Sequence, residues 1–452
     1  MSMAEDIHQT VAQGQQDWAF SVGVQLVVWG LPIVECWKYR LGKVVGHDAQ
    51  AQGQAINAFQ HMRSLSTRAS SKFVNSATDF LYSTAVLDLH QGPLVLTAPD
   101  FHQRWYGLQV LDPYMETLAN LGTRTYGRQL PSVVIANRRD QQRVPAQATV
   151  IYSDSDFLYV VGRIAAGDHE DLSAVNALQD GLRLTPLHGA DQPGFDLAQV
   201  TPGSCAPLRA GDSTCPAELA FFEELGAVLK FVPPSASEGL LLGLMADVGI
   251  SVENGFAHKS LPPAVREGLA RAVVQATAIL QGKVFERGEL NNGWKLPGAI
   301  GNYGHDYILR ALVSLHGIWA NVPEESLYFM AWTDCEGNLL HGDNQYEIRF
   351  EAGQLPPVEA FWSISYYDDQ GRLTDNPQDK YTVNSLYHQL QANADGSTSV
   401  FIGKAPVAPP FAGNWLPSHS GYFNLNLRCY NPGPALLSGQ YRVAPIVRIQ
   451  GQ

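Results

Sequence analysis

The chain is short of charge. Only 16% of its 452 residues are Asp, Glu, Lys or Arg, and 30 Lys and Arg face 43 Asp and Glu, for a formal net charge of −13. No run of basic residues interrupts that balance. This composition argues against nucleic acid and against anionic membrane surfaces as partners. It also disfavours polyanionic substrates unless a local arginine cluster overrides the average. Long apolar runs are lacking as well. The most apolar stretch, residues 20–34 (FSVGVQLVVWGLPIV), is interrupted by Gln25 and Pro32 and is shorter than the ~20 residues that cross a bilayer. It reads as a buried helix broken at the proline. The N-terminal MSMAEDIHQTVAQGQQDW has neither the basic nor the apolar region of a secretory signal, so the expected compartment is the cytoplasm.

Motifs are missing too. The five cysteines include no Cys-x-x-Cys pair, so zinc of that kind is not supported. Cys36, Cys335 and Cys429 sit among apolar or aromatic neighbours and read as core residues. Cys205 and Cys215 flank a polar loop and could be bridged, although a reducing compartment favours free thiols. There is no Walker loop, and neither SHSGYF nor TPGSCAP supplies a nucleophile elbow. GAIGNYG (298–304) has the glycines of a dinucleotide loop but no preceding strand, and reads as a surface turn. The 13 histidines are scattered. His341 with Asp343 and His305 with Asp306 come nearest to ligand spacing, but neither has a second histidine two or four residues away. No metal and no cofactor is called for.

What the chain does have is apolar mass, 45% of residues, with 41 Gly and 27 Pro spread along it. At this length roughly two or three domains are expected. Ile7, Val11, Trp18, Val22 and Leu26 recur at helical spacing, and a second short helical stretch is expected around residues 59–63. From Phe73 the period becomes two. LYSTAVLDL, GPLVLTAP, RWYGLQVLD, SVVIAN, ATVIYS and FLYVVGRI follow one another with turn residues between them. Residues from about 169 to 290 return to helical spacing, with Pro262 and Pro263 at a good helix start. A long loop is expected over residues 187–210. Strands resume with LYFMAWTD and continue through QYEIRFEAG, AFWSISYYD, SVFIGK, YFNLNLRCY and QYRVAPIVRI. The expected fold is therefore mainly β with helical segments: two jelly-roll-like antiparallel β-sandwich domains, an N-terminal helix and a helical insert. The expected boundaries are 1–68 for the N-terminal helical segment, 69–168 for the first sandwich, 169–300 for the insert and 301–452 for the second sandwich.

Two cassettes carry a likeness to a known family. The first reads Asn75, Asp79-Phe80-Leu81-Tyr82-Ser83, Asp88-Leu89, Gly92-Pro93, Arg104-Trp105-Tyr106, Gly122-Thr123-Arg124, Gly162-Arg163 and Leu178-Gln179. It resembles the bacterial domain of unknown function 1254. The second reads Leu355-Pro356-Pro357, Phe361-Trp362-Ser363, Asn376-Pro377, Tyr381, Asp395-Gly396-Ser397, Asn414-Trp415-Leu416-Pro417 and Leu427-Arg428-Cys429-Tyr430. It is similar to the partner domain 1214, with Tyr307, Arg310-Ala311 and Tyr346 fitting upstream. The resemblance implies two jelly-roll-like domains in this order and brings no reaction with it. Phe80 stands where the family usually has Thr, Trp105 where it has Tyr, and Val74 where it has Pro.

The first cassette concentrates ionisable groups. Asn75, Asp79 and Tyr82 are spaced by four and three, so one turn of chain would point them to one side. A carboxylate beside a phenol can act as base and acid when burial tunes both. Alternatively, Asp79 caps a turn and Tyr82 packs as core. His61 lies just upstream and could join Asp79. Arg124 and Arg163 end strand-like runs and could clamp an anion, or pair with Asp79 or Asp112. Tyr106, Trp362 and Trp415 are candidate substrate-binding residues; of Trp362, Tyr366, Tyr367, Trp415 and Tyr430 most should be sandwich core, and one or two could line a pocket for an apolar or sugar-like ligand. Alternation puts Phe361, Ser363 and Ser365 on one strand face and Trp362, Ile364 and Tyr366 on the other. The expected function is a cofactor-independent enzyme acting on a small organic molecule by acid–base chemistry, of lyase, isomerase, cyclase or hydrolase type. The alternative is a non-catalytic small-molecule or carbohydrate-binding or structural protein. A homodimer is compatible with the β-edges and exposed aromatics.

Overall fold

FLYSTAVLD alternates across a pleat and forms the Phe80–Asp88 strand, second in a five-stranded sheet. The order across that sheet is Gln60–His61, Phe80–Asp88, Phe157–Ala165, Tyr106–Leu111 and Thr117–Gly122, all antiparallel. Facing it are four strands ordered Thr149–Ser153, Val133–Asn137, Leu94–Thr97 and Arg183–Pro186. Leu81, Leu87 and Leu108 from one sheet and Leu94, Val133 and Ile135 from the other close a sandwich-like core. The computed structural model describes residues 3–44, 56–71, 74–167, 170–188, 207–376, 378–387 and 390–449.

The second β-domain repeats the arrangement. Six strands are ordered Glu289–Asn291, Trp294–Leu296, Ser326–Ala331, Phe423–Pro432, Val358–Asp368 and Thr382–Asn384. Four more face them, ordered Trp415–Pro417, Thr398–Gly403, Gln345–Phe350 and Ile446–Ile449. Trp362, Ile364, Leu425 and Leu427 meet Tyr346, Ile348, Val400 and Ile402 between the sheets. The protein is thus mainly β with helical segments, as its period-two runs predict. Two pairings depart from the antiparallel expectation. Val133–Asn137 runs parallel to Thr149–Ser153, and Thr398–Gly403 to Trp415–Pro417. In the first case the Arg138–Arg143 turn of 3₁₀-helix begins a connection that returns the chain in the same direction.

Several local expectations are corrected. Residues 59–63 do not form a helix. Gln60 and His61 instead pair with Thr84 and Ser83 at the open edge of the Phe80–Asp88 strand. The helix does not break at Pro32 but runs from Met3 to Val44. Trp29, Ile33, Val34 and Trp37 on either side of the proline pack into one helical core, and that burial offsets the lost backbone bond. By length and composition this helix could cross a membrane, yet 67% of its apolar window is buried inside the protein. It packs along Pro263–Glu286 and against Ala220–Leu229, Gly239–Asp247 and Tyr307–His316. The N-terminal segment and the insert therefore build one bundle. Gly268 lets the two long helices touch: a Cβ there would lie 2.3 Å from the Gln16 carbonyl oxygen.

GAIGNYG is not a surface turn. Ile300 and Tyr303 are buried, and the Gly301 carbonyl accepts from Thr117 N at 2.9 Å. Gly301 has φ +86, and a Cβ would sit 2.7 Å from Val322 N, a place only glycine fits. Cys36, Cys215, Cys335 and Cys429 are free thiols, and Cys335 is exposed rather than core. Cys205 and most of the 187–210 loop lie outside the described residues.

Candidate functional site

The strand FNLNLRCYNP is buried along its whole length. Strands buried on both faces usually read as continuous apolar runs. This one alternates, and its polar side is turned inward. Leu425, Leu427 and Cys429 enter the second sandwich core, so Asn424, Asn426, Arg428 and Tyr430 point to the opposite face. Register places Arg428 beside Ser363 and Tyr328, Asn426 beside Ser365, and Tyr430 beside Phe361 and Ser326. A polar face three strands wide results, and it is covered by the first domain.

Asp79 is the first domain's contribution. It is fully buried, and its Oδ2 accepts from Ser363 Oγ at 2.7 Å. Its Oδ1 accepts from Asn384 Nδ2 at 3.1 Å. Burial pushes this carboxyl above the usual carboxylate range, while Ser363, Arg428, Asn384 and Thr382 pull against that shift. Arg428 Nη1 donates to Ser365 Oγ at 3.0 Å, and Nη2 to Tyr367 Oη at 2.9 Å and to the Asn75 carbonyl at 2.8 Å. Tyr367 in turn donates to the Ser76 carbonyl at 2.7 Å. Asn75 adopts φ +53, a left-handed conformation that Asn tolerates. That bend aims its carbonyl at Arg428, while its amide donates to the His316 carbonyl at 2.9 Å.

Tyr82 stands on the same side as Phe80 and is only half-buried. Burial raises its phenol above the ordinary value, with Arg163 and Arg428 opposing. The Arg163 guanidinium lies 5.9 Å from the Tyr82 ring centroid. Arg163 is itself buried and donates to Gln109 Oε1, Asn321 Oδ1 and the Trp319 carbonyl at 3.2, 3.1 and 2.6 Å. Phe80, Trp105, Phe361 and Tyr430 form an aromatic wall between the domains, with Phe361 stacked on Tyr430 at 4.2 Å. Tyr430 Oη, Ser326 Oγ, Asn426 Oδ1 and Thr78 Oγ1 are buried without a hydrogen-bond partner among the described residues.

The structure therefore gathers Asn75, Asp79, Tyr82 and Arg163 around one layer and sends the other candidates elsewhere. His61 Nδ1 meets Ser83 Oγ at 2.8 Å, in a cluster that includes Gln179. Ser83 faces away from Tyr82 in the same strand. Tyr106 stacks on Phe101 at 3.7 Å in the first sandwich core. Arg124 is exposed and pairs with Glu325 Oε1 at 2.6 Å, not with Asp79 or Asp112. Trp362 is packed in the second sandwich core, and Trp415 donates to the Gly403 carbonyl at 2.9 Å. Tyr366 is core as expected, whereas Tyr367 and Tyr430 belong to the polar layer. Among the described residues no three His, Cys, Asp or Glu side chains group as metal ligands. Residue-by-residue reading missed Arg428, Ser363 and Asn384 as site residues and weighed Tyr367 and Tyr430 only as core or pocket wall. The signal was present in the Asn-x-Asn-x-Arg-x-Tyr alternation.

Residues 56–186 match the family described as protein of unknown function DUF1254, and residues 325–434 match DUF1214. The chain belongs to the family that pairs these two domains. A crystal structure of the VPA0106 protein from Vibrio parahaemolyticus is similar over 96% of this chain and 100% of its own, at 20% identity and TM-score 0.67. An uncharacterized protein from Burkholderia cenocepacia aligns over 97% of this chain and 98% of its own, at 14% identity and TM-score 0.45. The Vibrio likeness extends the fold to the whole chain. No curated protein matches.

Proposed function

We propose that this DUF1254–DUF1214 protein is a cofactor-independent enzyme that acts on a small organic molecule by acid–base chemistry between its two β-domains. One observation carries the reading. A fully buried carboxylate, Asp79, shares a polar layer with two buried guanidiniums, Arg163 and Arg428, and with the half-buried phenol of Tyr82. Ionisable groups are rarely buried without a reason, and shifted carboxyls concentrate at functional sites. Asp79, lifted by burial, is a stronger base than a surface aspartate. Tyr82, held protonated by the same burial, is a proton donor at neutral pH. Guanidiniums beside them stabilise negative charge as it develops. Proton removal, proton return and charge stabilisation serve eliminations, isomerisations, cyclisations and hydrolyses alike.

A second reading has its own observation. Both Asp79 oxygens are held by donors of the other domain, as in a fastener between domains. The two readings separate by experiment. Purified protein is incubated with a small-molecule extract and consumed compounds are followed by mass spectrometry. The enzyme reading expects Asp79→Asn and Tyr82→Phe to fold and to slow consumption by about 100-fold or more. Unchanged consumption in both variants, with a loss of stability only, would leave the fastener.

A further inference from the structure

We infer that the molecule seated in this layer is a monocarboxylate with an apolar body, received by Arg428 together with the Tyr430 and Ser326 hydroxyls. The inference rests on the proposed site and adds the class of ligand. The charges of the layer do not balance without one. Arg163 and Arg428 are 5% and 3% exposed, and their hydrogen bonds all run to neutral acceptors: Gln109, Asn321, Trp319, Ser365, Asn75 and Tyr367. Asp79 is the carboxylate bonded within the layer, and the buried Glu325, which also faces Arg163, is bonded by the exposed Arg124 at 2.6 Å. Arg124, Arg163 and Arg428 against Asp79 and Glu325 leave one positive charge in excess, beside a buried layer where unpaired charge is costly. One negative charge cancels it. A monoanion fits that count, and a phosphate dianion exceeds it.

The hydrogen-bonding groups agree. Tyr430 and Ser326 are direct cross-strand neighbours on the inward face, and each has a hydroxyl without a partner among the described residues. Cross-strand neighbours have Cβ atoms about 5 Å apart, so both side chains rise from the same part of that face. Arg428 is two residues from Tyr430 on the same face; Ser365, Tyr367 and Asn75 take one Nη1 and both Nη2 hydrogens, which leaves Nε and one Nη1 hydrogen for the ligand. Asn426 follows on that face, and its amide can turn either its oxygen or its nitrogen toward the ligand. Phe80, Trp105 and Phe361 surround the Tyr430 ring and provide the apolar wall for the rest of the molecule. Tyr82, Tyr328 and Met330 keep partial exposure although their strands are internal to their sheets.

The test uses the full chain and calorimetric titration with phenylacetate, its neutral counterpart phenylacetamide, and inorganic phosphate at constant ionic strength. Phenylacetate is expected to bind at least about tenfold more tightly than either of the others. Tyr430→Phe and Ser326→Ala are each expected to weaken it about tenfold. Both variants should fold, because neither hydroxyl bonds to another described residue, so the result does not hang on Arg428→Gln. Equal binding of acid and amide, or preference for phosphate, overturns the ligand class and leaves the site. Binding that is unchanged in both hydroxyl variants overturns the placement. No binding of any probe overturns the inference, while the extract experiment with Tyr82→Phe still decides the enzyme reading separately.

Discussion

Asp112 offers a quantitative prediction away from the site. It closes the turn between the Tyr106–Leu111 and Thr117–Gly122 strands, where its Oδ1 accepts from Tyr114 N and Glu116 N, both at 2.9 Å. Burial pushes its carboxyl up to about 7, the neighbouring Glu116 adds to the shift, and the two backbone amides and Arg310 oppose it. The folded protein therefore holds a proton that the unfolded chain has released above its ordinary value of 3.8. Stability from this group is complete below pH ~4 and is lost as pH rises through about 7. Rising from 3.8 to about 7 is worth about 4 kcal/mol in full, and partial solvent access at the residue reduces that to about 2 kcal/mol. Asp112→Asn retains an Oδ1 for both amides and cannot ionise. Urea unfolding of both proteins at pH 3.5, 5.5 and 8.5 should show equal stability at the lowest pH, an intermediate difference at pH 5.5, and a variant more stable by about 2 kcal/mol at the highest. Titrating groups that do not face Asp112 are common to the two proteins and cancel in the difference. A difference that does not change with pH would refute the reasoning.

Three further outcomes can be checked. Gly268→Ala must part the two long helices, because its Cβ meets the Gln16 carbonyl at 2.3 Å; a loss of about 1–3 kcal/mol in urea unfolding is expected, and an unchanged midpoint would mean the helices pack otherwise. Arg124→Gln strips the buried Glu325 of its partner at 2.6 Å. Burial already raises the Glu325 carboxyl while Arg124 lowers it, so the cost, about 1–3 kcal/mol, should be largest above pH 6 and shrink at pH 4, where the acid takes a proton. Tyr430→Phe should change stability by less than about 0.5 kcal/mol, since its hydroxyl has no partner among the described residues; a much larger loss would reveal a bond that the folded chain makes.

Most strands were legible because one face of each meets an apolar core and the period of two survives. Thr117–Gly122 escaped notice because TLANLG carries too few apolar residues to show a period. It is held by pairing with Tyr106–Leu111 instead. Pro32 and GAIGNYG misled for the same physical reason: local chemistry argued for a break and a surface turn, and tertiary burial overrode both. The site was half legible. Asp79 and Tyr82 stood out as a carboxylate and a phenol in one short block. Their partners in FNLNLRCY did not, because a strand with one polar face reads as half-solvated. Only the folded chain shows that this face is covered by another domain rather than by water.

That covering is the strongest argument that the layer serves something other than adhesion. Phe80, Trp105, Phe361 and Tyr430 already bind the domains through an apolar, aromatic seal. Extending such packing over the neighbouring strands would satisfy the same surfaces with no desolvated charge. Instead the adjoining positions hold Asp79, Arg163 and Arg428, all nearly inaccessible to solvent. A fastener alone would be expected to pair its charges directly, as Arg104 does with Asp171 at 2.6 Å in the first domain. Here the guanidiniums reach neutral acceptors, the carboxylate reaches a hydroxyl and an amide, and four buried polar atoms around them are left without a described partner. Groups held apart by neutral spacers, with capacity left over, are the arrangement that the proposed ligand requires. Stability and binding should therefore come apart in Tyr430→Phe, with little change in the first and a loss in the second.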